Sequence, residues 1–434
     1  MNTKIKIVLV CHQFYNQHIV DEIKWSWRGR GHDVAVWNRL LVEGLEKHSD
    51  IELHVIAPMC HMKKLRQVFF AGKTHYYFYK PDVPFFNVSW RHFGQLDAKT
   101  NFWWARRCVQ GWIRDINPDI INLIGAENPN YSASILGLRG YPIFISMQSV
   151  YSNPDRFKIV KEDKIRSRFE RKVISENIYF GINAPFMPDL IRRDVKKPIL
   201  MWNRFPTPSG IKERFVISEK NAPKYDFVQY SRLTELKGAP DTIRATAIVK
   251  KFFPNIRVRM MGGITSSYLS EMKELILKQG LEENIVISQG FARHSDLMKE
   301  ACKARFYILP TKVDTIPTTI FEATNLGLPI VSYKTGDIPK LNLGCERVLL
   351  AERFDVEGLA RQMLLLMREP DIGFRLNRRM REFVDKYFSN ETNVEQHICI
   401  CRAVIDNYRK GVPIPQELMY EDFLERKLNM HKCE

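Results

Sequence analysis

Short apolar runs alternate with longer segments of helical periodicity along most of the 434-residue chain. The first run, KIKIVLV, predicts a buried strand, and IELHVIAP predicts the next one. Between them, apolar residues recur at helical spacing (Val36, Leu40, Leu41 and Leu45). Further strands are predicted at DIINLIG, PIFISM and NIYFGI. This alternation of strands and helices is typical of parallel α/β domains.

Residues 205–224 interrupt the alternation with three prolines and mixed charge, which indicates a linker. A second alternating series follows, from YDFVQYS through IRVRMMGG, NIVISQG and RFYILPT to PIVSYK, and the segment from about Asp355 to Lys410 is helical without a following strand. We therefore predict two successive Rossmann-like domains, at residues 1–205 and 206–390.

The length and composition agree with two ordinary globular cores, since 45% of the residues are hydrophobic and 26% are charged. No apolar run approaches the roughly 18 residues that a membrane span requires. The first apolar run continues into His12 and Gln13 without a small-residue cleavage site, so it is interpreted as a strand rather than a signal peptide. A cytoplasmic location is expected.

The formal net charge is +17, and residues 1–205 carry +12 of it, with 31 Lys and Arg against 19 Asp and Glu. Such a surface can meet nucleic acid, anionic lipid or an anionic substrate. Residues 63–107 interleave basic and large aromatic side chains. Three interpretations stay open for this region: aromatics in the core, a membrane-surface contact, or stacking on single-stranded nucleic acid.

The eight cysteines form no C-x-x-C pair, so the sequence predicts neither a zinc site nor a redox motif. His397, Cys399 and Cys401 alternate in HICIC, but helical flanks favour buried thiols there. No metal site is predicted.

The segment LPTKVDTIPTTIFEATNLGLPIVSYK carries the clearest chemistry. A strand ends at Leu309, and a helix begins near Thr318 and Thr319, where free backbone N–H groups suit a phosphate. Asp314 in the loop and Glu322 in the helix can accept hydrogen bonds from sugar hydroxyls. Hydrogen-bond donors for a phosphate, flanked by hydrogen-bond acceptors for sugar hydroxyls, predict a site for a nucleotide sugar.

Two further features support that site. Arg232 and Lys237 follow the strand YDFVQY and can converge on a diphosphate, whose charge they would offset without a metal as the leaving group departs. Gly262 and Gly263 follow the strand IRVRMM, where the backbone can approach a ligand closely.

Residues 225–370 resemble the donor domain of the family 4 glycosyltransferases. DTIPTTIFEATNLGLPI stands where that family has its Glu-x7-Glu segment, with Asp314 and Glu322 at the two acidic positions. Arg232 and Lys237 match the family's phosphate pair, Gly262 and Gly263 match its glycine turn, and Gln289-Gly290-Phe291 matches its base-contacting loop.

The resemblance implies a GT-B fold, in which two Rossmann-like domains face each other across a cleft. The donor would bind in the C-terminal domain and the acceptor in the N-terminal one, and residues 391–434 would hold a helix crossing back towards the first domain plus a tail. It also implies a UDP- or GDP-sugar donor, retention of configuration and no required metal or other cofactor.

The resemblance also implies residue roles. Arg232 and Lys237 would bind the donor phosphates together with the amides of Thr318 and Thr319. Glu322 would hold the ribose, and Asp314 would contact hydroxyls of the transferred sugar, although it is one methylene shorter than the family's Glu.

The first half matches the family less closely. Gly29 and Gly31 in GRGH resemble its acceptor-side glycine loop, displaced by an insertion. Glu127, which is expected to be catalytic, lies near the position at which the family often has a histidine close to the donor sugar, and Gln148 lies where a second histidine or polar residue often occurs. His294 is expected near a helix cap started by Ser295.

Together with these features, the resemblance implies a retaining glycosyltransferase that moves a hexose-type sugar to a hydroxyl of a glycan or lipid-linked acceptor. Polysaccharide biosynthesis at the inner face of a membrane is the expected context. The alternatives are a sugar-nucleotide epimerase or phosphorylase of the same fold, a non-catalytic scaffold, and a nucleic-acid-binding protein, for which no binding motif is present.

Overall fold

The structure, a computed structural model, describes residues 4–26, 35–81, 96–184, 186–206, 223–291, 294–314 and 316–420. The chain divides into two compact units. The first takes the described residues up to Phe157, those of Lys161–Pro206, and those from Asn390 onwards. The second takes Lys158–Val160 and the described residues between Pro206 and Asn390.

The first unit is built on a sheet of eight described strands in the order β3-β4-β2-β1-β5-β6-β7-β8. The strands are β1 Ile5–Val10, β2 Ile51–Pro58, β3 Arg66–Ala71, β4 Thr74–Tyr79, β5 Ile120–Ile124, β6 Ile143–Ser146, β7 Tyr179–Ile182 and β8 Ile199–Trp202. Among these strands, β3 and β4 pair antiparallel and the other neighbours pair parallel. Every residue of β5 is buried, as expected for a parallel strand covered on both faces.

Helices connect these strands. They are α1 Gln17–Glu22, α2 Val36–Leu45, α3 Leu96–Lys99, α4 Trp103–Ile116, α5 Pro129–Ser132, α6 Pro154–Phe157, α7 Lys164–Ser175 and α8 Met187–Arg192. A short 3-10 turn, Ala133–Ile135, follows α5. Strands β3, β4 and β8 were not predicted from the sequence: β3 begins with polar Arg66 and Gln67, the aromatic run of β4 shows no alternation, and β8 has only four residues.

The second unit is a parallel sheet whose described strands run in the order β11-β10-β9-β12-β13-β14. The strands are β9 Tyr225–Tyr230, β10 Val258–Gly262, β11 Ile285–Gln289, β12 Ala304–Leu309, β13 Ile330–Tyr333 and β14 Leu349–Ala351. The strand order reverses direction between β9 and β12, and in such sheets ligands bind beyond the carboxyl ends of the strands at this switch point.

Helices connect the parallel strands of the second unit, and the reversal of strand order is that of a doubly wound sheet. They are α9 Ala239–Lys250, α10 Ser266–Lys278, α11 His294–Ala301, α12 Thr318–Asn325, α13 Val356–Arg368 and α14 Pro370–Tyr387, with 3-10 turns at Glu235–Lys237 and Ile338–Asn342. Apolar residues of α9 and α13 share one core with those of β9, β10 and β12.

A last long helix, α15 (Asn390–Lys410), belongs to the first unit although it follows the second in the chain. Its apolar residues enter the core around β1 and β2. Gln396 Nε2 donates to the Trp202 carbonyl at 2.8 Å, and Tyr179 Oη donates to Asn407 Oδ1 at 2.6 Å. The 3-10 turn Gln416–Leu418 follows this helix.

His397 and Cys401 lie on the buried side of α15, whereas Cys399 is exposed. Residues two positions apart on a helix point to different sides, so the alternation in HICIC cannot bring the three side chains together. The expectation of a buried thiol is therefore wrong for Cys399.

The basic and aromatic segment divides into a buried and an exposed part. Tyr76, Phe78 and Tyr79 on β4 are buried, whereas Val68 and Phe70 on the edge strand β3 are 53% and 59% exposed. The aromatics therefore contribute to the core on β4 and to the surface on β3. Within the described residues, no helix is both long enough and apolar enough to span a bilayer.

Candidate active site

The loops after β9 and β12 pack against each other at the switch point of the second sheet. Gly238, in the first loop, has a φ of +70°, and a Cβ added to it would lie 2.0 Å from the Pro310 carbonyl oxygen in the second loop. The Lys312 N–H donates to the Leu236 carbonyl at 2.8 Å. Glycine therefore permits a close approach between the two loops that carry most of the predicted donor residues.

Lys237 and Asp314, which the sequence predicts for the donor site, form an ion pair with each other. Asp314 Oδ2 also accepts a hydrogen bond from Thr311 Oγ1 at 3.0 Å. The carbonyl of Lys237 accepts from the buried Gln229 side chain at 2.9 Å, which fixes the backbone of the lysine. The structure thus brings together one residue expected at the phosphates and one expected at the sugar.

Arg232 has a different environment from Lys237. Its side chain is exposed and, among the residues that the structure describes, makes no hydrogen bond or ion pair. Its Cγ lies 4.0 Å from the position of a Cβ added to Gly263. The guanidinium is therefore available to a ligand at the carboxyl edge of the sheet, next to the glycine turn.

The glycine turn lets β9 and β10 end close together. Gly262 has a φ of +148°, and an added Cβ would lie 1.6 Å from the Ser231 carbonyl oxygen. The Leu233 N–H donates to the Gly263 carbonyl at 3.0 Å. Only glycine fits at Gly262, because any side chain would collide with the backbone that leads to Arg232.

Phe291 lies at the same edge of the sheet. In the β10–β11 pair Gln289 is opposite Gly262, and a Cβ on Gly290 would approach the Gly263 N–H nitrogen to 4.0 Å. Phe291 is half-buried two residues after β11. The structure thus places the predicted base-contacting loop beside the glycine turn.

Thr318 and Thr319 are the first two residues of α12, as the sequence predicts. Pro317 occupies the N-cap position and caps no N–H with its side chain. The first-turn N–H groups of a helix have no intrahelical acceptors and carry the positive end of its dipole. The buried Tyr230 donates from Oη to the Thr319 carbonyl at 3.2 Å, which ties the helix start to β9.

Glu322 is buried one turn into α12 and pairs with a residue that the sequence assigned elsewhere. His294 Nε2 lies 3.0 Å from Glu322 Oε1. His294 is the first residue of α11, which agrees with its predicted place near a helix start. Its contact with the Glu322 carboxylate was not predicted. Twenty-eight residues separate the two positions, and no local pattern indicates such a pair.

A buried charge cluster adjoins the donor loops and was not predicted. Lys312, between Thr311 and Asp314, is almost fully buried and pairs with Glu235 and with Asp241, the latter at 3.2 Å. Tyr333 Oη donates to Asp241 Oδ2 at 3.1 Å. Burial, followed by the Asp241 charge, raises the pKa of Tyr333. The cluster joins the loop after β9, helix α9, the loop after β12 and strand β13.

Glu127 follows β5 in the first unit, whose sheet has its own reversal of strand order between β1 and β5. Its carboxylate is buried, and Oε2 has no hydrogen-bond partner among the described residues. When the Gln148 amide is oriented to satisfy its neighbours, its nitrogen donates to Glu127 Oε1 at 2.9 Å and its oxygen accepts from Trp37 Nε1 at 2.5 Å.

Burial raises the pKa of Glu127 to about 7, against a partly opposing hydrogen bond from its own backbone. Tyr131 lies beside it, since the Tyr131 Oη and both Glu127 carboxylate oxygens lie within 2.8 Å of a Cβ added to Gly125. A carboxyl group with a pKa near neutrality can exchange a proton in catalysis. The contact between Glu127 and Gln148 was not predicted from the sequence, and the catalytic role of Glu127 stays a prediction.

Gly29 and Gly31, predicted for the acceptor-side loop, lie outside the described residues. Within the described part of the chain, no group of three or more His, Cys, Asp or Glu side chains is arranged to hold a metal ion. The metal-independence of the reaction stays a prediction.

The second unit matches a known family. Residues 211–386 match the family model described as glycosyl transferases group 1, so this unit carries a domain of that group. An uncharacterized glycosyltransferase of Methanocaldococcus jannaschii is 28% identical over 123 residues, which are 27% of this chain and 29% of that protein. The chain thus matches under a third of this curated relative.

Solved structures resemble nearly the whole chain. A sucrose-phosphate synthase from Thermosynechococcus elongatus has a TM-score of 0.71 at 13% identity, covering 92% of this chain and 98% of its own. Anabaena HepE in complex with UDP and glucose has 0.59 at 14%, covering 91% and 98%. An Escherichia coli trehalose-6-phosphate structure with UDP-2-fluoro glucose has 0.66 at 9%, covering 92% and 99%. These likenesses establish the fold alone, and the predicted GT-B fold is confirmed.

Proposed function

We propose that the protein is a retaining glycosyltransferase that moves a hexose-type sugar from a UDP- or GDP-sugar to a hydroxyl of a glycan or lipid-linked acceptor. The observation that carries this proposal is the arrangement at the switch point of the second sheet. Strands β9 and β12 are followed by an arginine without a partner among the described residues, a lysine paired with an aspartate, a helix start without a side-chain cap, and a buried glutamate. Together they offer hydrogen-bond donors for a phosphate and hydrogen-bond acceptors for sugar hydroxyls at the same edge of the sheet.

In this proposal Arg232 and the first-turn amides of α12 bind the diphosphate, and Lys237 adds charge that it shares with Asp314. The acceptor hydroxyl attacks the anomeric carbon on the face from which the diphosphate leaves, and a diphosphate oxygen takes the hydroxyl proton. The anomeric configuration is thereby retained. Arg232 and Lys237 stabilise the negative charge that develops on the leaving diphosphate.

Glu322 binds the ribose hydroxyls in the proposed complex, and His294 orients its carboxylate through the 3.0 Å contact. Asp314 contacts a hydroxyl of the transferred sugar while it keeps Lys237 in place. The UDP and UDP-sugar ligands of the Anabaena and E. coli structures make uridine diphosphates the first donors to test.

The acceptor is proposed to bind the first unit, near Glu127 and the segment that contains Gly29 and Gly31. Polysaccharide biosynthesis at the inner face of a membrane fits the positive charge of residues 1–205. The edge strand β3 supports a peripheral membrane contact, since exposed Val68 and Phe70 follow the exposed Lys63 and Lys64.

The donor site is tested by thermal stability of the full chain with UDP, GDP and their sugars. A ligand at one hundred times its Kd stabilises the native state by about 2.7 kcal/mol. We expect one nucleotide to raise Tm and Arg232→Gln to abolish most of that shift. Arg257→Gln is the matched control. Arg257 is an exposed arginine that directly precedes β10, so it lies at the amino ends of the strands, away from the proposed site at their carboxyl ends.

No shift with any nucleotide, or an equal loss in both variants, would contradict the proposed donor site. Product analysis then separates the reactions: transfer to a hydroxyl supports a transferase, isomerised nucleotide sugar an epimerase, and sugar phosphate a phosphorylase. Binding without turnover would favour a scaffold. Proton NMR of the new anomeric centre distinguishes retention from inversion.

Membrane contact is tested by sedimentation of the full chain with vesicles. We expect binding to phosphatidylglycerol vesicles and little binding to phosphatidylcholine vesicles, because the attraction combines cations with exposed apolar side chains. Phe70→Ser should weaken binding severalfold. Phe252→Ser, at a similarly exposed phenylalanine of the second unit, should leave it unchanged; equal effects would argue against contact through β3.

A further inference from the structure

Two arginines stack on one tyrosine at the carboxyl edge of the first sheet. The guanidinium of Arg166 lies 4.1 Å from the ring centroid of Tyr151, and that of Arg156 lies 4.5 Å from it. Tyr151 is buried and follows β6. The ring therefore contacts two guanidinium groups near the strand ends where an α/β sheet binds its ligand.

The contacts of Arg166 fix the orientation of its guanidinium group but do not use its two terminal nitrogens. Its Nε donates to the Glu127 carbonyl at 3.1 Å, and its plane rests on Tyr151. Within the described residues, neither terminal nitrogen of Arg166 has an acceptor, and no carboxylate lies within 4.0 Å of its guanidinium. A pre-oriented fork with two unused nitrogens is the geometry that binds a phosphate through two parallel hydrogen bonds.

The carboxylates of this region are already engaged by other groups. Glu170 is buried and accepts from the backbone N–H groups of Tyr151 and Ser152, both at 2.6 Å. Glu127 interacts with Gln148 through Oε1. Both carboxylates lie near enough to interact with the charge of Arg166, but neither accepts a hydrogen bond from its terminal nitrogens, so an anion bound there would displace no ion pair among the described residues.

We infer that Arg166, supported by Arg156 on the Tyr151 ring, binds a phosphate group of the acceptor substrate. This inference rests on the proposed function and specifies its acceptor: a molecule that carries both a phosphate and the hydroxyl to be glycosylated. Arg166 Nε donates to the backbone carbonyl of Glu127 at 3.1 Å, so a phosphate on the arginine would lie close to this residue, and the hydroxyl-bearing part of the acceptor is proposed to bind beside it.

Such a phosphate can belong to a soluble phosphorylated sugar or to a lipid-linked sugar. The test is calorimetric titration of the full chain, in the presence of the nucleotide that raises its Tm, so that the donor site is occupied. The probes are glucose 6-phosphate, polyprenyl-phosphate-linked glucose in detergent micelles, inorganic phosphate, and glucose as the unphosphorylated control.

We expect a phosphorylated probe to bind and glucose to bind at least tenfold more weakly. Arg166→Gln should weaken phosphate binding about tenfold to a hundredfold, since charge-assisted hydrogen bonds are lost, and Arg166→Lys should recover only part of it. The matched control is Arg168→Gln, which removes an exposed arginine of the same helix that rests on Phe169. It should bind like the wild type.

Binding of glucose 6-phosphate would identify a soluble acceptor, and binding of only the polyprenyl-phosphate-linked glucose would identify a lipid-linked one; either result supports the site. Absence of binding by every phosphorylated probe overturns it, as do equal losses in Arg166→Gln and Arg168→Gln. The nucleotide-dependent shift in Tm is measured on each variant, and the one in Arg166→Gln should equal that of the wild type. A failed nucleotide shift beside intact phosphate binding would reject the donor site alone.

Discussion

Single side chains in this protein acquire their chemistry from partners that are distant in sequence. Arg232 and Lys237 look equivalent in the sequence, but only Lys237 is neutralised by an aspartate, Asp314. Arg232 is thus the cation with full charge to offer a diphosphate. The sequence indicated both as phosphate ligands, and it could not rank them because the ranking depends on a loop 77 residues away.

The ionisation of a single side chain, Glu127, makes the free energy of unfolding depend on pH. Burial raises the pKa of its carboxyl group in the folded state from 4.5 to about 7. The fold accommodates the neutral form of the carboxyl group. The contribution of this group to the free energy of unfolding is therefore complete below its pKa in the unfolded chain and is lost as pH rises through about 7.

We expect Glu127→Gln to become more stable relative to the wild type between pH 5 and pH 8, by up to about 3 kcal/mol. Denaturant unfolding at the two pH values measures the difference. The exposed Glu43→Gln on α2 is the control and should show no such trend. A parallel pH dependence for wild type and Glu127→Gln would show that the carboxylate is ionised in the fold without cost.

Whole elements of the donor region are held together by the buried cluster around Lys312. One ammonium group links the loop after β9, through Glu235, to helix α9, through Asp241. Removing one member of a buried ion pair leaves the other without compensation, which costs more than the pair contributed. The cluster therefore fixes the loop that carries Lys237 relative to the loop that carries Asp314.

Lys312→Met should lower the free energy of unfolding by up to about 3–5 kcal/mol, because Asp241 then loses its buried cation and keeps only the half-exposed Arg244. Lys312→Met/Asp241→Asn should be less destabilised than the sum of its single changes. Lys334→Met removes an exposed pair with Glu352 and should cost less than about 1 kcal/mol. Denaturant unfolding tests all four variants, and equal losses for the two lysines would show that burial does not govern the effect.

Element types were predictable where the chain repeats apolar positions regularly. The six strands YDFVQYS, IRVRMMGG, NIVISQG, RFYILPT, PIVSYK and DIINLIG are all present in the structure. The hairpin of β3 and β4 was not predicted, because the aromatic run THYYFY shows no alternation and its edge partner exposes Val68 and Phe70. Side-chain pairs such as His294 with Glu322 escaped prediction, since only the tertiary fold brings two helix starts together.

At the scale of the whole molecule, helix α15 makes the stability of the first unit depend on the last described segment of the chain. His397 is buried in that helix near Asn203, with 3.3 Å between Nδ1 and Oδ1. Burial lowers the pKa of His397 to about 4. As pH falls below about 6.5, His397 binds a proton in the unfolded chain but stays neutral in the folded one. The free energy of unfolding therefore declines until about pH 4.

We expect His397→Gln to reduce the loss of stability between pH 7 and pH 4.5, by up to about 3 kcal/mol. Thermal unfolding across this range measures the change. His18→Gln alters an exposed histidine of α1 and serves as the control. If wild type and His397→Gln lost stability in parallel, the acid sensitivity would have to reside in other groups.

The discontinuity of the first unit also sets an order of events during translation. A nascent chain that has left the ribosome up to Pro206 holds all eight described strands of the first sheet but not the helix that completes its core. At ribosomal rates, roughly ten to forty seconds pass before that helix emerges. During this interval the apolar surface that α15 covers is open to solvent and to chaperones, so the half of the protein that is made first is the last to finish folding.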